Sequence, residues 1–291
     1  MADFVHLHNH SDFSLLDAAQ TVDTMCNRVY DLKMDSIAIT EHGNLFSMIP
    51  FYKKARETGI KPIIGCEIYV AVNKHTDKKY VRELANRTAG EGMKNVLILV
   101  DINNELDSKD AKQRSRSVEE HKAWVDCASQ LGCAAIRVNC RSGGNREENL
   151  LNAVEGMRSI CDYAQSSKVK VVIEPHGGHS SDPDWLLAVM KKLNHPSAGI
   201  LPDFNNFGRF DRYDGVRRTL PYAPAVCAKA LNFDNKGIET HTDFFRMMKI
   251  IYKSEFSGVI SIEFEGHDLN PIAGSLKTKA LLQKAFDAMT E

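Results

Sequence analysis

Three histidines near the start of the chain have the type and spacing of metal ligands. His6, His8 and His10 alternate within an apolar run, and a period of two places all three on one face of a β-strand. Packing alone explains three imidazoles on one face poorly, because each ring carries polar nitrogens that need partners. The pattern therefore predicts binding of a divalent metal, for which neutral imidazole is a common ligand.

The next two apolar runs carry residues of the same chemistry. The second run ends at His42, and the third carries Glu67 within Ile64-Gly65-Cys66-Glu67-Ile68. Burying that carboxylate without a partner would cost several kcal/mol, and metal binding would remove the cost. Both residues are therefore further candidate ligands.

Carboxylates recur at the ends of apolar runs in the second half of the chain. Glu174 closes one run and Asp203 follows another, while Glu263 and Glu265 alternate in the last. A single acidic residue at such a position often caps the next helix, but the recurrence favours a shared site. Histidine and carboxylate ligands together suit Zn²⁺, Mn²⁺, Fe²⁺ or Co²⁺, whereas carboxylates alone would also accept Mg²⁺.

Other polar residues fit both a site and an ordinary structural role. Cys227 and Lys229 share one face of a predicted strand and are candidate site residues. The structural alternative is a buried core thiol for Cys227 and, for Lys229, a lysine that buries only its aliphatic stem. His176 and His179 closely follow Glu174, and the sequence favours neither role for them. The cysteines include no CxxC pair, so reduced thiols are expected. We expect solvent exposure for the remaining histidines of loops and helices, which are His75, His121, His195, His241 and His267.

Strand-length apolar runs alternate along the chain with amphipathic stretches of helical spacing, such as Leu150, Met157 and Cys161. Gly132 and Gly258 each precede a run, where a residue in the left-handed region would end the preceding helix. The predicted strands are Phe4–His10, Ser36–His42, Lys61–Ala71, Asn95–Asp101, Ala134–Asn139, Lys170–Glu174, Gly199–Phe204, Ala225–Ala230 and Val259–Phe264.

This alternation, at about 30 residues per unit, is typical of parallel strands with helical crossovers. An open doubly wound sheet and a closed barrel both fit, but the length and the number of units favour the barrel, which usually has about 250 residues. The sequence thus predicts an α/β fold, a (β/α) TIM-type barrel with eight strands expected and a possible ninth, as one domain over residues 1–291. Reactive groups of such barrels lie at the carboxyl ends of the strands.

Composition argues against several classes of protein. The chain has 37 Lys and Arg residues against 38 Asp and Glu residues, so no overall field attracts nucleic acid and no such partner is expected. The longest apolar runs are far shorter than the roughly 20 residues that cross a bilayer, and the start lacks an apolar signal segment. We therefore expect a cytoplasmic protein without a membrane partner.

The first 70 residues resemble a known family. The segments Val5-His6-Leu7-His8-Asn9-His10-Ser11, Ile39-Thr40-Glu41-His42-Gly43 and Pro62-Ile63-Ile64-Gly65-Cys66-Glu67 are similar to the start of the PHP (polymerase and histidinol phosphatase) domain of bacterial DNA polymerase III alpha subunits. The resemblance implies a metal-dependent phosphoesterase barrel. It also implies metal-binding roles for His8, His10, Asp17, His42 and Glu67.

From about residue 77 onward the resemblance changes. The segments Val172-Ile173-Glu174-Pro175-His176, Leu201-Pro202-Asp203-Phe204 and Ile262-Glu263-Phe264-Glu265-Gly266 look like xylose isomerase-like TIM barrels of the sugar phosphate isomerase/epimerase type. This resemblance implies one divalent metal held by Glu174, Asp203, a histidine of the seventh strand and Glu263, with both glutamates moving protons. Cys227 stands at the histidine position and is the candidate ligand there. His176 is expected to help bind substrate, and we assign Lys229 to the same role.

Three functional hypotheses follow. The first is a metal-dependent isomerase or epimerase of a small sugar or sugar phosphate, in which Glu174 or Glu263 abstracts a proton next to a carbonyl. The second is a phosphoesterase in which a metal-bound water attacks phosphorus at the N-terminal ligands. The third is a recombined or engineered chimera of residues 1–76 and 77–291 with little or no activity. The cofactor expected for the two enzymes is a divalent metal: Zn, Mn, Fe, Co or Mg.

Overall fold

The structure is a computed structural model that describes residues 9, 11–12, 20–42, 47–67, 74–90, 92, 94–102, 105–269 and 271–290. Within these ranges, the side chains of residues 42, 64–67, 272 and 290 are not described. The predicted strand Phe4–His10 therefore lies outside the described residues except for Asn9, and residues 68–71 of the third predicted strand also lie outside.

Strands and helices alternate through the described residues. The strands are β1 (Ser36–His42), β2 (Lys61–Glu67), β3 (Leu97–Leu99), β4 (Ala135–Val138), β5 (Lys170–Ile173), β6 (Ala198–Ile200), β7 (Ala225–Ala230) and β8 (Val259–Phe264). The helices are α1 (Val22–Asp31), α2 (Met48–Glu57), α3 (Lys78–Gly90), α4 (Ala111–Leu131), α5 (Arg146–Gln165), α6 (Pro183–Leu193), α7 (Arg212–Thr219), α8 (Phe244–Tyr252) and α9 (Pro271–Thr290). None of these described helices is both long enough and apolar enough to cross a membrane.

All strand pairs of the described residues are parallel. β1 pairs with β2, β3 to β6 pair in chain order, and β7 pairs with β8. An isolated parallel bridge between Asp203 and Cys227 continues the series from the segment after β6 to β7. Because each crossover carries a helix, this arrangement is that of repeated βα units.

Several predicted strands end early in the structure. The runs 36–42, 225–230 and 259–264 are strands with the predicted bounds, whereas 95–101, 134–139 and 170–174 are shortened, and the strand predicted at 199–204 covers 198–200. After β6, Pro202 has no amide hydrogen for a ladder. The Asp203 carboxylate then accepts hydrogen bonds from the amides of Asn205 and Asn206, which turns the chain away from the sheet.

An apolar layer crosses the space that the strands enclose, with one residue from each of six consecutive strands or their continuations. This apolar floor consists of Leu97, Ala135, Val172, Leu201, Ala225 and Val259. A separate and much larger cluster fills the space between these strands and the helices from α3 to α9. Side chains alternate across a strand, so residues two positions after the floor point into the same space.

The segment around β1 has its own hydrophobic cluster. It is formed by α1, α2 and β1 with their flanking residues, and it comprises Val22, Met25, Cys26, Val29, Met34, Ile37, Ile39, Phe51, Ala55 and Ile60. Asn9 borders β1, where its Nδ2 donates to the carbonyl of Ala38 at 2.6 Å. The Lys279 side chain of α9 donates a hydrogen bond to Asn9 Oδ1, so Asn9 also contacts the last helix.

One glycine and two histidines differ from their predicted roles. Gly132 ends α4 in the left-handed region with a φ of 76°, as predicted. Gly258 does not adopt that region; glycine is required there because a Cβ atom would lie 2.3 Å from the carbonyl oxygen of Pro224.

His121 and His195 are not solvated, because His121 is buried within α4 and the His195 side chain is buried 3.2 Å from Asp162. Burial lowers the pKa of His121 to about 4.

Candidate active site

The strands place a polar layer directly above the apolar floor. Alternation along each strand brings the residue two positions later to the same side as the floor residue. Those residues are the half-exposed Leu99 and the polar Arg137, Glu174, Asp203, Cys227 and Ser261, and Lys229 and Glu263 lie a further two positions along β7 and β8. In the β7–β8 register Cys227 is paired with Ser261 and Lys229 with Glu263. The polar residues thus converge because the sheet has a period of two.

Three of these side chains form a compact set of possible metal ligands. Asp203, Cys227 and Glu263 each offer one atom, and the three atoms lie within 4.8 Å of one another. Cys227 Sγ donates a hydrogen bond to Glu263 Oε2 at 2.7 Å. Burial raises the pKa of the Cys227 thiol well above its usual value, and the nearby Asp203 and Glu263 carboxylates raise it further, so the sulfur keeps its proton here.

Asp203 is the most deeply buried carboxylate of the set. Its Oδ1 accepts hydrogen bonds from the amides of Asn205 at 2.7 Å and Asn206 at 2.8 Å. Its Oδ2 is buried, and no described group donates a hydrogen bond to it. Burial raises the pKa of Asp203 to about 7, against the opposing effect of Lys229. An oxygen with this unmet capacity is suited to a cation.

Lys229 is a buried ammonium among the carboxylates. Its Nζ lies 2.9 Å from Glu265 Oε2, 3.3 Å from Glu263 Oε1 and 4.0 Å from Asp203 Oδ2. Burial disfavours its charge, but Asp203 and Glu263 outweigh that effect and raise the pKa above the usual value of lysine. Lys229 is therefore charged at neutral pH.

Glu174 pairs with the second buried cation. Arg137 Nε lies 2.8 Å from Glu174 Oε2, and Arg137 Nη1 donates to Asp101 Oδ1 at 2.8 Å. Asn206 Nδ2 donates to Glu174 Oε1 at 3.3 Å, which connects Glu174 to the turn that holds Asp203. Burial raises the pKa of Glu174 to about 8, although Arg137 opposes the shift. A carboxyl group with such a pKa can both give and take a proton near neutrality.

His176 stands beside this layer, half-buried, with its Nδ1 3.4 Å from Arg141 Nη1. Burial lowers its pKa, and the positive charges of Arg137 and Lys229 add to the shift, so the ring is neutral at pH 7. His179 lies farther out, with its Nε2 3.0 Å from the carbonyl of Gly144. It lines a pocket of about 390 Å³ together with residues that include Arg146, Asp182 and Arg209.

The structure brings Glu174, Asp203, Cys227, Lys229 and Glu263 into one cluster, and His176 lies at its margin. The N-terminal candidates cannot be described in the same way. His8, His10 and Asp17 lie outside the described residues. His42 and Glu67 are register partners at the carboxyl ends of β1 and β2, but their side chains are not described.

Sequence reasoning gave no role to Arg137, which links Glu174 to Asp101. Its signal is visible in hindsight, because Ile136-Arg137-Val138 puts an arginine at the centre of an apolar strand. A buried guanidinium needs a carboxylate partner, and an arginine in such a strand therefore points to one.

A divalent metal ion fits the donor set. Two carboxylates and a thiol offer three ligands, and Asp203 Oδ2 lacks a hydrogen-bond donor among the described groups. Arg137 and Lys229, the buried cations described in this layer, contact five carboxylates, which are Asp101, Glu174, Asp203, Glu263 and Glu265. Three protein ligands with an open position are typical of catalytic zinc sites. The sulfur disfavours Mg²⁺ and favours a softer ion such as Zn²⁺. The site would accept a divalent ion, and its ligands would be Asp203, Cys227 and Glu263.

Comparison with known families decides the membership of the chain. The PHP domain model matches residues 6–167, which is more than half of the 291 residues. The chain belongs to the PHP domain family. Among curated relatives, the DNA polymerase III alpha subunit of Borreliella burgdorferi is 53% identical over 68 residues, which are 23% of this chain and 6% of that protein. The corresponding subunit of Helicobacter pylori is 29% identical over 171 residues, or 56% of this chain and 14% of that protein.

The PHP domain chain therefore spans only a small part of the length of these polymerase subunits. The family match also extends past residue 77, where the sequence motifs begin to resemble xylose isomerase-like barrels. His8, His10, Asp17, His42 and Glu67 all fall within the matched range.

Solved structures similar to the whole PHP domain chain include sugar-processing proteins. A D-tagatose 3-epimerase-like protein has a TM-score of 0.66 at 14% identity and covers 98% of both chains. A xylose isomerase domain protein from Planctomyces limnophilus has a TM-score of 0.59 at 15% identity, covering 98% of this chain and 95% of that one. The IOLI protein, solved with a zinc atom, has a TM-score of 0.62 at 14% identity, covering 97% and 98%.

At these identities the neighbours establish the fold alone, and the fold is an α/β barrel. The predicted fold class and both predicted resemblances are confirmed. The number of strands that close the barrel stays a prediction, because eight strands lie in the described residues and the predicted first strand lies almost wholly outside them.

Proposed function

We propose that the chain is a metal-dependent isomerase or epimerase of a small sugar or sugar phosphate. The observation that carries the proposal is the convergence of Glu174, Asp203, Cys227 and Glu263 above the apolar floor. Solved neighbours named as a D-tagatose 3-epimerase-like protein and a xylose isomerase domain protein support the substrate class.

Two glutamates in unequal environments suit proton transfer next to a carbonyl. Glu174 is buried against Arg137, whereas the Glu263 side chain is 29% exposed and contacts Cys227 and Lys229. One carboxyl group can remove a proton from carbon while the other returns one, and burial raises the pKa of Glu174 to about 8, which suits exchange of a proton near neutrality. Glu174 and Glu263 are therefore the proposed acid and base.

The remaining residues bind and orient. Asp203, Cys227 and Glu263 would hold the divalent ion, which when bound supplies a Lewis acid for the substrate oxygens. Neutral His176 can accept or donate a hydrogen bond to a hydroxyl group, and Arg137 holds Glu174 in place. The apolar floor closes the site from below and excludes water on that side.

A solvent-exchange experiment tests this function directly. The protein is incubated in D₂O with ketohexoses, aldopentoses and their phosphates after loading with Mn²⁺, Co²⁺ or Zn²⁺, and deuterium at the α-carbon is followed by NMR. Incorporation should require both Glu174 and Glu263, so Glu174→Gln and Glu263→Gln should each reduce it by at least about 100-fold. The exposed Glu255→Gln is the matched control and should behave as the parent. Absence of exchange on every substrate would reject the proposal.

A phosphoesterase function is the second candidate, and membership in the PHP domain family favours it. It would use His8, His10, Asp17, His42 and Glu67 as ligands, and the metal that they would hold would supply a Lewis acid for hydrolysis of a phosphate ester. Hydrolysis of p-nitrophenyl phosphate esters by the metal-loaded protein tests it. Activity that disappears in His8→Ala but persists in Glu174→Gln would assign catalysis to the N-terminal ligands.

We further propose that residues 1–291 form a single barrel domain built from a PHP-like segment, 1–76, and a xylose isomerase-like segment, 77–291. The contact between Lys279 and Asn9 supports this arrangement, because it joins the last helix to the first segment. One cooperative unfolding transition with the same midpoint by near- and far-ultraviolet circular dichroism is expected. Two separate transitions would count against a single domain.

A further inference from the structure

We infer that Lys229 is an internal counterion that competes with the divalent metal for the Asp203, Cys227 and Glu263 ligands. Loading the site would then require Lys229 Nζ to move away from two of the three ligands. This inference rests on the metal site of the proposed function, and it adds a resident side chain that sets how tightly that site binds.

The Lys229 ammonium contacts two of the three candidate metal ligands, Asp203 and Glu263. Nζ lies 3.3 Å from Glu263 Oε1 and 4.0 Å from Asp203 Oδ2, so it neutralises the same carboxylates that the ion would use. Two cations that share these carboxylates repel each other strongly, because the side chain of Lys229 is only 2% exposed and water screens poorly there. A bound ion and an ammonium in this position therefore oppose each other.

Glu265 is the carboxylate that lies nearest to the Lys229 ammonium. It lies two residues beyond Glu263, its side chain is 52% exposed, and its Oε2 makes the shortest contact with Lys229 Nζ, at 2.9 Å. It is not one of the three grouped ligands. The flexible lysine stem allows Nζ to keep this outer partner while it leaves the inner two. Glu265 is thus the residue that would hold the displaced ammonium.

This role differs from the substrate-binding role predicted for Lys229 from the sequence. A lysine that binds only substrate would change the KM when substituted and leave the metal affinity alone. A competing counterion changes the metal affinity in the absence of any substrate. The two roles are therefore separated by a binding measurement on the protein with metal alone.

The experiment is a Co²⁺ titration of chelator-treated protein, followed by the d–d absorption bands and by the sulfur-to-cobalt band that reports Cys227. Lys229→Met should bind Co²⁺ about tenfold tighter or more than the parent, because a positive charge has left the ligand cluster. Lys229→Arg keeps the charge and should remain weak. Lys284→Met, on the exposed surface of α9, is the matched control and should titrate as the parent. Equal or weaker binding by Lys229→Met, or no binding by parent and variant alike, would overturn the inference.

A second variant keeps the test decisive if Lys229→Met folds poorly. Glu265→Gln changes a half-exposed side chain and removes the partner of the displaced ammonium, so Co²⁺ affinity should fall by several-fold. Glu255→Gln removes an exposed carboxylate instead and should bind Co²⁺ as the parent does. Unchanged or tighter Co²⁺ binding by Glu265→Gln would overturn the role of Lys229.

The outcomes also separate this inference from the proposed function. Tighter Co²⁺ binding by Lys229→Met with no deuterium exchange on any substrate supports the counterion and rejects the isomerase. Deuterium exchange by the loaded parent with unchanged affinity in Lys229→Met supports the isomerase and rejects the counterion.

Discussion

Cys227 Sγ donates a hydrogen bond to Glu263 Oε2 at 2.7 Å. Cys227 stands where a histidine was expected, and its protonated thiol is hydrogen-bonded to Glu263, another candidate metal ligand. A metal that takes both residues must break this hydrogen bond and release the thiol proton. Burial among Asp203 and Glu263 makes that release costly. The identity of this one side chain therefore bears directly on metal affinity.

Replacing the thiol by imidazole should strengthen the site. Cys227→His offers a ligand that binds in its neutral form, so no proton has to leave a buried sulfur, and Mn²⁺ or Co²⁺ should bind about tenfold tighter. Competition with a chromophoric chelator measures the change. Cys227→Ser is the matched control, and it should bind no better than the parent. Superimposable titration curves for the histidine variant and the parent would contradict this prediction.

The N-terminal histidines predict a metal content that is independent of Cys227. Purification without chelators should yield near-stoichiometric Zn, Mn or Fe by elemental analysis, and the content should fall in a His8→Ala, His10→Ala double variant. A His241→Ala, His267→Ala double variant removes two exposed histidines instead and should retain the metal. If the first double variant keeps the full content, these histidines are not ligands.

Periodicity together with the length and number of the units predicted the barrel, and it placed the acidic residues of the candidate site at the ends of strands. Every second residue above the floor points inward, so the strand-end positions of Glu174, Asp203 and Glu263 already implied that they meet. The same rule placed Lys229 and Cys227 on one face of β7. These inferences needed only the direction of each side chain along a strand.

Periodicity does not predict which residues of different elements pair with each other or which faces become buried. The partner of Arg137 is a carboxylate of the next strand, and no feature of either strand alone specifies that contact. His121 was expected in solvent because helical spacing does not reveal which face a neighbouring helix covers. Pro202 and the turn at Asp203 shortened β6 through local hydrogen bonds that compete with the ladder. Such effects depend on tertiary neighbours.

His121 should make the protein sensitive to mild acid. Its Nδ1 donates to the Ser117 carbonyl at 2.8 Å and its ring is buried, so the folded state keeps it neutral with a pKa of about 4. The unfolded state has the ordinary pKa of about 6.5 and binds the proton first. The free energy of unfolding should therefore fall as the pH drops from about 6.5 to about 4, by up to about 3 kcal/mol from this residue.

Urea unfolding of the parent and of His121→Leu between pH 7 and pH 4 measures this contribution. The leucine variant should lose less stability across that range, because it has no ring to protonate. His267→Gln, at an exposed position, should follow the parent. Parallel pH profiles for His121→Leu and the parent would show that the ring does not control the acid response.

Arg137 and Glu174 should stabilise the fold as a pair rather than singly. Both side chains are almost fully buried, at 6% and 4% exposure, so removing the guanidinium leaves a carboxyl group without its cation. At pH 9, where the Glu174 carboxyl group is ionised, Arg137→Met should cost about 3 kcal/mol of unfolding free energy. The loss should be smaller when Glu174→Gln is already present, because no buried charge is then left unpaired.

The double-mutant cycle also has a pH dependence whose sign follows from the pKa of Glu174, which burial raises to about 8. At pH 7 the folded carboxyl group is largely protonated, whereas at pH 9 it is ionised and attracts the guanidinium more strongly. The coupling energy from metal-free urea unfolding should therefore be larger at pH 9 than at pH 7. A matched cycle with Arg114 and Glu155, a pair whose glutamate side chain is 65% exposed, should give a small and pH-independent value. Additive losses for Arg137 and Glu174 at both pH values would mean that their 2.8 Å contact contributes nothing to stability.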